Sequence, residues 1–221
     1  MLIVRLRSLG DCVLTTPAIE LLHQHRPDLK IAVMVEPPFE AVYRGNPAVH
    51  AILPASARAA LVYRPKLVIN LHGGTRSMKI TAASLVGSPS GWRAGFAHYR
   101  APWLYNLHIP RAQEILGEGR PVHTAEHVAS AMFWLGVPRA EIPRARLYAS
   151  APVPSTPAYA LIHPFASEPA KTWPAARFVH QHHWDVIADR IDETASAAAQ
   201  PVLVVKQLHR RFAHRAHEDF K

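Results

Sequence analysis

The residue best placed to do chemistry is Asp11. It closes the loop Arg7-Ser8-Leu9-Gly10-Asp11, behind the apolar run Leu2 to Leu6 and ahead of Ala18, Ile19, Leu21 and Leu22 at helical spacing. The pattern reads as strand, tight loop, helix, and Gly10 can take the positive φ that such a turn often needs. Open α/β sheets place their ligands at the carboxyl ends of strands, so a carboxylate there can act as a base. Asp is also a favoured helix N-cap, which gives Asp11 a purely structural alternative. Thr16-Pro17 leaves two arrangements open. Either one helix begins at Asp11 and bends at Pro17, or a second helix restarts with Thr16 as its cap.

The single cysteine, Cys12, has no paired histidine and reads as a small buried hydrophobe. It also rules out an intramolecular disulfide framework and is compatible with a reducing compartment.

Further elements repeat the opening pattern. Lys30 to Val35 and Ala51 to Pro54 read as strands, separated by the loop from Glu36 and the turn-like Gly45-Asn46-Pro47. Leu67 to Leu71 is a strong strand that ends in His72-Gly73-Gly74-Thr75-Arg76-Ser77 and leads to a helical run, Met78 to Val86. This alternation predicts a parallel sheet wound with helices on both faces. The two glycines let the backbone approach a ligand, and the absence of a G-x-S-x-G elbow sets aside an esterase oxyanion loop. Gly91 to Pro110 interleaves aromatic and basic residues, a mix that stacks single-stranded bases or forms an irregular strand-and-loop edge. His123 to His127 opens a helix with Thr124 as its cap, inward-facing Val128, Met132 and Leu135, and a stop at Gly136. Pro138 to Pro157 carries no period and reads as a linker between a domain over 1–150 and a second over 158–221.

Composition bounds the partners. The chain has 221 residues, 49% of them hydrophobic, enough for a buried core. A formal charge of +9 with fifteen histidines favours anionic partners without choosing among nucleic acid, anionic lipid and sugar phosphates. The chain shows no secretory leader pattern and no membrane-length apolar run, so it is expected in the cytoplasm, with room for peripheral contact at the inner membrane face.

Taken together, the motifs resemble those of glycosyltransferase family 9, the lipopolysaccharide heptosyltransferases. The resemblance rests on S-L-G-D (Ser8 to Asp11), T-T-P-A (Thr15 to Ala18), E-P-x-F (Glu36 to Phe39) and G-N-P-A-V (Gly45 to Val49). It continues through L-H-G-G-x-R-S (Leu71 to Ser77), H-x-x-E-H (His123 to His127), I-H-P-x-A-S (Ile162 to Ser167) and A-K-x-W-P-A-x-R-F (Ala170 to Phe178).

The resemblance implies an α/β fold of GT-B type, with two doubly wound, Rossmann-like domains. It also implies inverting transfer of a heptose or related sugar from a nucleotide donor such as ADP-heptose to an anionic glycolipid, with no metal, no cofactor and no nucleic-acid partner. Asp11 matches the catalytic base. Ser167 and Lys171 match a donor-binding loop that would hold the diphosphate. Arg76, His123 and His127 match positions near the acceptor. One base is enough for such a reaction, because a nucleoside diphosphate departs as a stable anion, whereas the alkoxide of a glycosidase must be protonated.

The donor half of such an enzyme runs for roughly 150 residues, and the text after Val179 changes character. The expectation is therefore a donor domain that is truncated or replaced by a frameshift, with activity of this chain in doubt. Two rival classes remain: a noncatalytic binder of anionic glycolipid or nucleotide-sugar, and a nucleic-acid-binding protein.

Overall fold

Short β-branched and leucine-rich runs alternate with helices through the first half of the chain, and the computed structural model winds them into a parallel sheet. It describes residues 1–148, 159–162, 170 and 203–206. The chain divides into two units, Met1–Pro152 and Val153–Lys221.

In the first unit six strands, β1 (Leu2–Val4), β2 (Ala32–Val35), β3 (Ala51–Pro54), β4 (Leu67–Asn70), β5 (Trp92–Phe96) and β6 (Leu107–Ile109), lie in the order β3-β2-β1-β4-β5-β6. Every neighbouring pair is parallel, with Leu2 opposite both Ala32 and Val68. That order is the doubly wound one, and its topological switch point falls between β1 and β4.

Six helices flank the sheet: α1 (Leu9–Val13), α2 (Thr16–His25), α3 (Ala57–Tyr63), α4 (Thr75–Gly87), α5 (Ala112–Leu116) and α6 (Thr124–Trp134). Period-two alternation sends Ile3 to one side of the sheet and Leu2 and Val4 to the other. All three are fully buried because helices cover both sides. Ile3, Ile19, Val33, Ile69, Phe96, Val128 and Met132 belong to one core, while Leu2, Val4, Met34, Ala60, Val68 and Ile80 belong to the other.

Several expectations are refined. The helix after β1 does restart, but Thr15 rather than Thr16 is the cap, and Pro17 sits in the first turn, where its missing N–H costs nothing. The loop expected at Glu36 to Phe39 leads into a 3₁₀ turn, Pro37–Val42. Gly91 to Pro110 supplies two strands of the ladder, joined through a 3₁₀ turn at Pro102–Leu104. Its Phe96 and Tyr105 are buried in the fold, whereas Trp92 and Trp103 are exposed.

Of the expected linker, residues 138–148 lie on the first unit without regular structure. Ile142 packs on the larger core, the Arg146 N–H donates to Thr16 Oγ1 (3.3 Å), and Tyr148 covers Gly45. In the second unit β7 (Tyr159–Ile162) pairs with β8 (Leu203–Lys206) in antiparallel register, Tyr159 opposite Lys206. That sense differs from the parallel pairing implied for a doubly wound second domain, whose remaining elements lie outside the described residues.

Candidate active site

The chain leaves β1 through Arg5 and Leu6, both buried, and turns at Ser8 into α1. An arginine inside an apolar strand must find polar partners, and Arg5 finds them across the switch point. Its guanidinium donates to the Leu71 carbonyl at the end of β4 and pairs with Asp11 Oδ1 at 2.8 Å. The second carboxylate oxygen, Oδ2, accepts from the Ser8 N–H (3.3 Å) and the Ser8 hydroxyl (3.2 Å).

Asp11 is therefore the third residue of α1, returning to the residue that caps it, and not itself the cap. This structural duty leaves it open, since its side chain remains 39% exposed beside an Arg5 side chain that is 9% exposed. Two carboxylate oxygens offer about four acceptor positions. Arg5 and Ser8 take three of them, and one is left for an incoming hydroxyl.

The facing loop after β4 is shaped by Asn70. Its Oδ1 accepts from the N–H groups of His72 (3.0 Å) and Gly73 (3.2 Å), and its buried amide donates to the Tyr105 hydroxyl at 2.8 Å. Gly73 has φ of 73°, and a Cβ there would stand 2.5 Å from the Tyr99 ring, so only glycine lets this backbone pass beneath Tyr99. Burial, reinforced by the Arg5 and Arg7 charges, holds His72 below the ordinary imidazole range. Burial also pushes the Cys12 thiol up, which keeps it an inert buried group next to Asp11.

The other sequence-derived site residues are placed as follows. Arg76, in the first turn of α4, pairs with Glu36 (2.6 Å) and donates to the Ala55 carbonyl (2.9 Å), tying α4 to the ends of β2 and β3. His123, not Thr124, caps α6: its Nδ1 accepts from the Ala125 N–H, and Glu126 accepts from the His123 N–H at 2.6 Å. Glu126 is held down to about 2, first by its hydrogen bond with Arg120 and next by that N–H.

His127 stacks on Phe96 at the carboxyl end of β5, ring centroids 4.1 Å apart. Together with His98 and Arg111 it lines an open groove of about 700 Å³, whose single acidic lining residue is Glu114. Ser167 and Lys171 lie outside the described residues. Among the described residues no group of three or more His, Cys, Asp or Glu is placed to hold a metal ion.

Asp11, Arg76 and His127 thus sit in the loops and helix starts at the carboxyl edge of one sheet, the crevice where doubly wound folds take ligands. Sequence reasoning missed Arg5, which anchors the arrangement. Its signal was present as a lone cation between Val4 and Leu6 in an otherwise apolar run. Tyr99 and Asn70 gave no comparable signal, because their roles depend on partners distant in the chain.

No protein-family model and no curated protein matches the chain. Solved structures do match it. A glycosyl transferase family 9 structure from Veillonella parvula superposes with a TM-score of 0.52 at 19% identity, over 66% of this chain and 43% of its own. E. coli heptosyltransferase WaaC with ADP gives 0.50 at 20% identity, over 66% and 49%. E. coli ADP-heptose lps heptosyltransferase II gives 0.51 at 18% identity, over 67% and 46%. The shared feature is the fold. The family named from the motifs is also the family whose solved structures carry the same doubly wound α/β arrangement, and the match spans less than half the length of these three.

Proposed function

We propose that this chain carries the acceptor-side domain of a heptosyltransferase-like, inverting glycosyltransferase. The observation that carries the reading is the half-open Asp11 carboxylate, fixed by Arg5 and Ser8 at the switch-point crevice with one acceptor position unfilled.

In the reaction, an acceptor hydroxyl oxygen forms a bond to the anomeric carbon of a heptose or related sugar. The bond from that carbon to the diphosphate breaks, and its electron pair leaves with the nucleoside diphosphate, ADP in the case of ADP-heptose. The hydroxyl proton passes to Asp11 as general base, a contribution of about 10² to 10⁴ in rate. The departing diphosphate is a stable anion, so neither a second carboxylic acid nor a metal is called for.

Ser167 and Lys171 are the proposed grip on that diphosphate, through a hydroxyl and an ammonium that stabilise its growing charge. The groove lined by His98, Arg111 and His127 suits the anionic groups of a lipopolysaccharide-type acceptor, with Arg76 at the opposite flank of the crevice. Cytoplasmic work on a membrane-borne acceptor follows from the same reading. No described helix is long and apolar enough to cross a membrane.

Transfer from ADP-heptose to a lipopolysaccharide-core acceptor is the test, measured with the intact chain and with Asp11→Asn, which keeps the size and much of the hydrogen bonding. Turnover that falls about 10²-fold or more in the variant, with an unchanged circular dichroism spectrum, supports the base. Equal turnover in both removes Asp11 from the mechanism. Tight binding of donor or acceptor with no turnover in either favours the rival reading, a noncatalytic binder of anionic glycolipid or nucleotide-sugar.

A further inference from the structure

Between Glu40 and Glu114 the sequence contains no acidic residue, and residues 41–113 carry nine lysines and arginines. This stretch builds β3, α3, β4, α4, β5 and β6, one half of the first unit. It also holds five of the eight large apolar side chains that stand exposed among the described residues: Leu61, Val62, Val86, Trp92 and Trp103. The coincidence is spatial as well as sequential.

On α3, Arg58, Leu61 and Val62 have the i, i+3, i+4 spacing of one helical face, and all are exposed, whereas Ala60 faces the core. On α4, Lys79 and Val86 share the outward stripe, opposite the buried Ile80, Ser84 and Gly87. The two helices pack side by side. The Leu61 carbonyl lies against Gly87, and Arg64 donates to the Gly87 carbonyl at 2.9 Å. Lys66, two residues before the buried Val68, falls on the same side of the sheet by strand alternation and is exposed. Val62 is 73% and Val86 71% exposed.

We propose that this α3–α4 face docks on a membrane surface rich in anionic lipid. Leu61, Val62 and Val86 enter the headgroup boundary, and Arg58, Lys66 and Lys79 meet the lipid phosphates. Aliphatic side chains ringed by cations are the combination that interfacial binding uses, apolar burial adding to attraction for anionic lipid. Nucleic acid fits less well, because valine and leucine tips find no partner on a phosphodiester backbone. A second copy of the chain fits less well too. A face carrying cations and no acid repels its own image. The inference is independent of Asp11 and of the transfer chemistry, so either can fail without the other.

Co-sedimentation of the full chain with sucrose-loaded vesicles tests it, using equal parts phosphatidylglycerol and phosphatidylcholine against phosphatidylcholine alone. The protein pellets with the first and not the second, and rising salt releases it. Arg58→Gln and Lys66→Gln, which alter only exposed charges, each weaken partitioning about fivefold. Val62→Asp with Val86→Asp weakens it about tenfold or more at unchanged circular dichroism. Arg139→Gln with Arg144→Gln, off this face, leaves it as in the native chain.

Absence of pelleting, equal pelleting with neutral vesicles, or wild-type pelleting of the Val62/Val86 pair overturns the proposal. So does an RNA oligonucleotide that strips the protein from anionic vesicles at equal charge concentration. A dimer in light scattering that Val62→Asp dissolves would assign the face to self-association instead.

Discussion

The two sides of the first sheet are packed by different rules. Behind α1, α2 and α6 lies a thick aliphatic and aromatic core in which Ile19, Ile69, Phe96 and Met132 are essentially without solvent contact. Behind α3 and α4 the core is thinner, and its α4 side is polar. Asn70 sits against Ser77 (3.2 Å), Thr81 (3.4 Å) and the Tyr105 hydroxyl (2.8 Å), all of them buried or nearly so. The difference teaches where each side invests its apolar residues. The first side turns most of them inward, Leu9 and Trp134 being the exposed exceptions on its helices, and that packing holds α1 and its carboxylate in place. The second satisfies its interior partly by hydrogen bonds and leaves valine and leucine facing out.

The comparison is broken most severely at Phe96. Phe96→Ala removes a ring packed in the thick core and stacked on His127, and is expected to cost about 3 to 5 kcal/mol in urea unfolding. If the loss is no greater than for an exposed position, the first side is not the one that bears the load.

Next in size is Asn70→Leu on the other side. It strands the Tyr105 hydroxyl and the N–H groups of His72 and Gly73, for about 1 to 3 kcal/mol, and slackens the crevice loop. The unfolding midpoint should fall accordingly, and a stability change of under half a kcal/mol would show that the polar network carries little.

The smallest effect is a pH dependence. Burial, then the charges of His98 and Arg5, hold His127 below its ordinary range, and burial does the same for His72. As pH falls through about 6.5 the unfolded chain takes up these protons before the folded one, so stability is full above that value and declines below it. His127→Phe preserves a ring on Phe96 and removes one titration. The acid limb of the stability curve should flatten in part, His72 retaining the rest. An unchanged slope between pH 7 and pH 5 would contradict a half-buried His127 whose proton affinity is lowered by its surroundings.

Much of this arrangement could be read in the residues themselves, for physical reasons that also mark where reading stops. Strands β1, β2 and β4 are near-continuous apolar runs because both their faces are covered, and the loop after β4 is announced by glycine beside polar residues, whereas Gly10 after β1 falls inside α1 and takes no positive φ. The helix α3 escaped notice. Its sequence ARAALVY is short, and the outward Leu61 and Val62 spoil the amphipathic period by which a surface helix is recognised. The five-residue α5 offers too little period to read. Asp11 could be singled out from its place behind a strand, but not the fact that Arg5 would hold it, since an arginine between Val4 and Leu6 reads equally as an edge or as a buried ion. The cap of α6 reads one residue late in the sequence because imidazole is an uncommon cap, and its partner Glu126 is the better clue. The donor-side residues Ser167 and Lys171 rest on resemblance alone.

The reach of Arg5 from the Leu71 carbonyl to the Asp11 carboxylate has a mechanical meaning. The strands wind outward in opposite directions from the gap between β1 and β4, and this one guanidinium clasps both lips of that gap. The aperture of the cleft is thereby gauged by the length of a single side chain, and a shorter cation at position 5 would let the lips drift apart while every strand stayed in register.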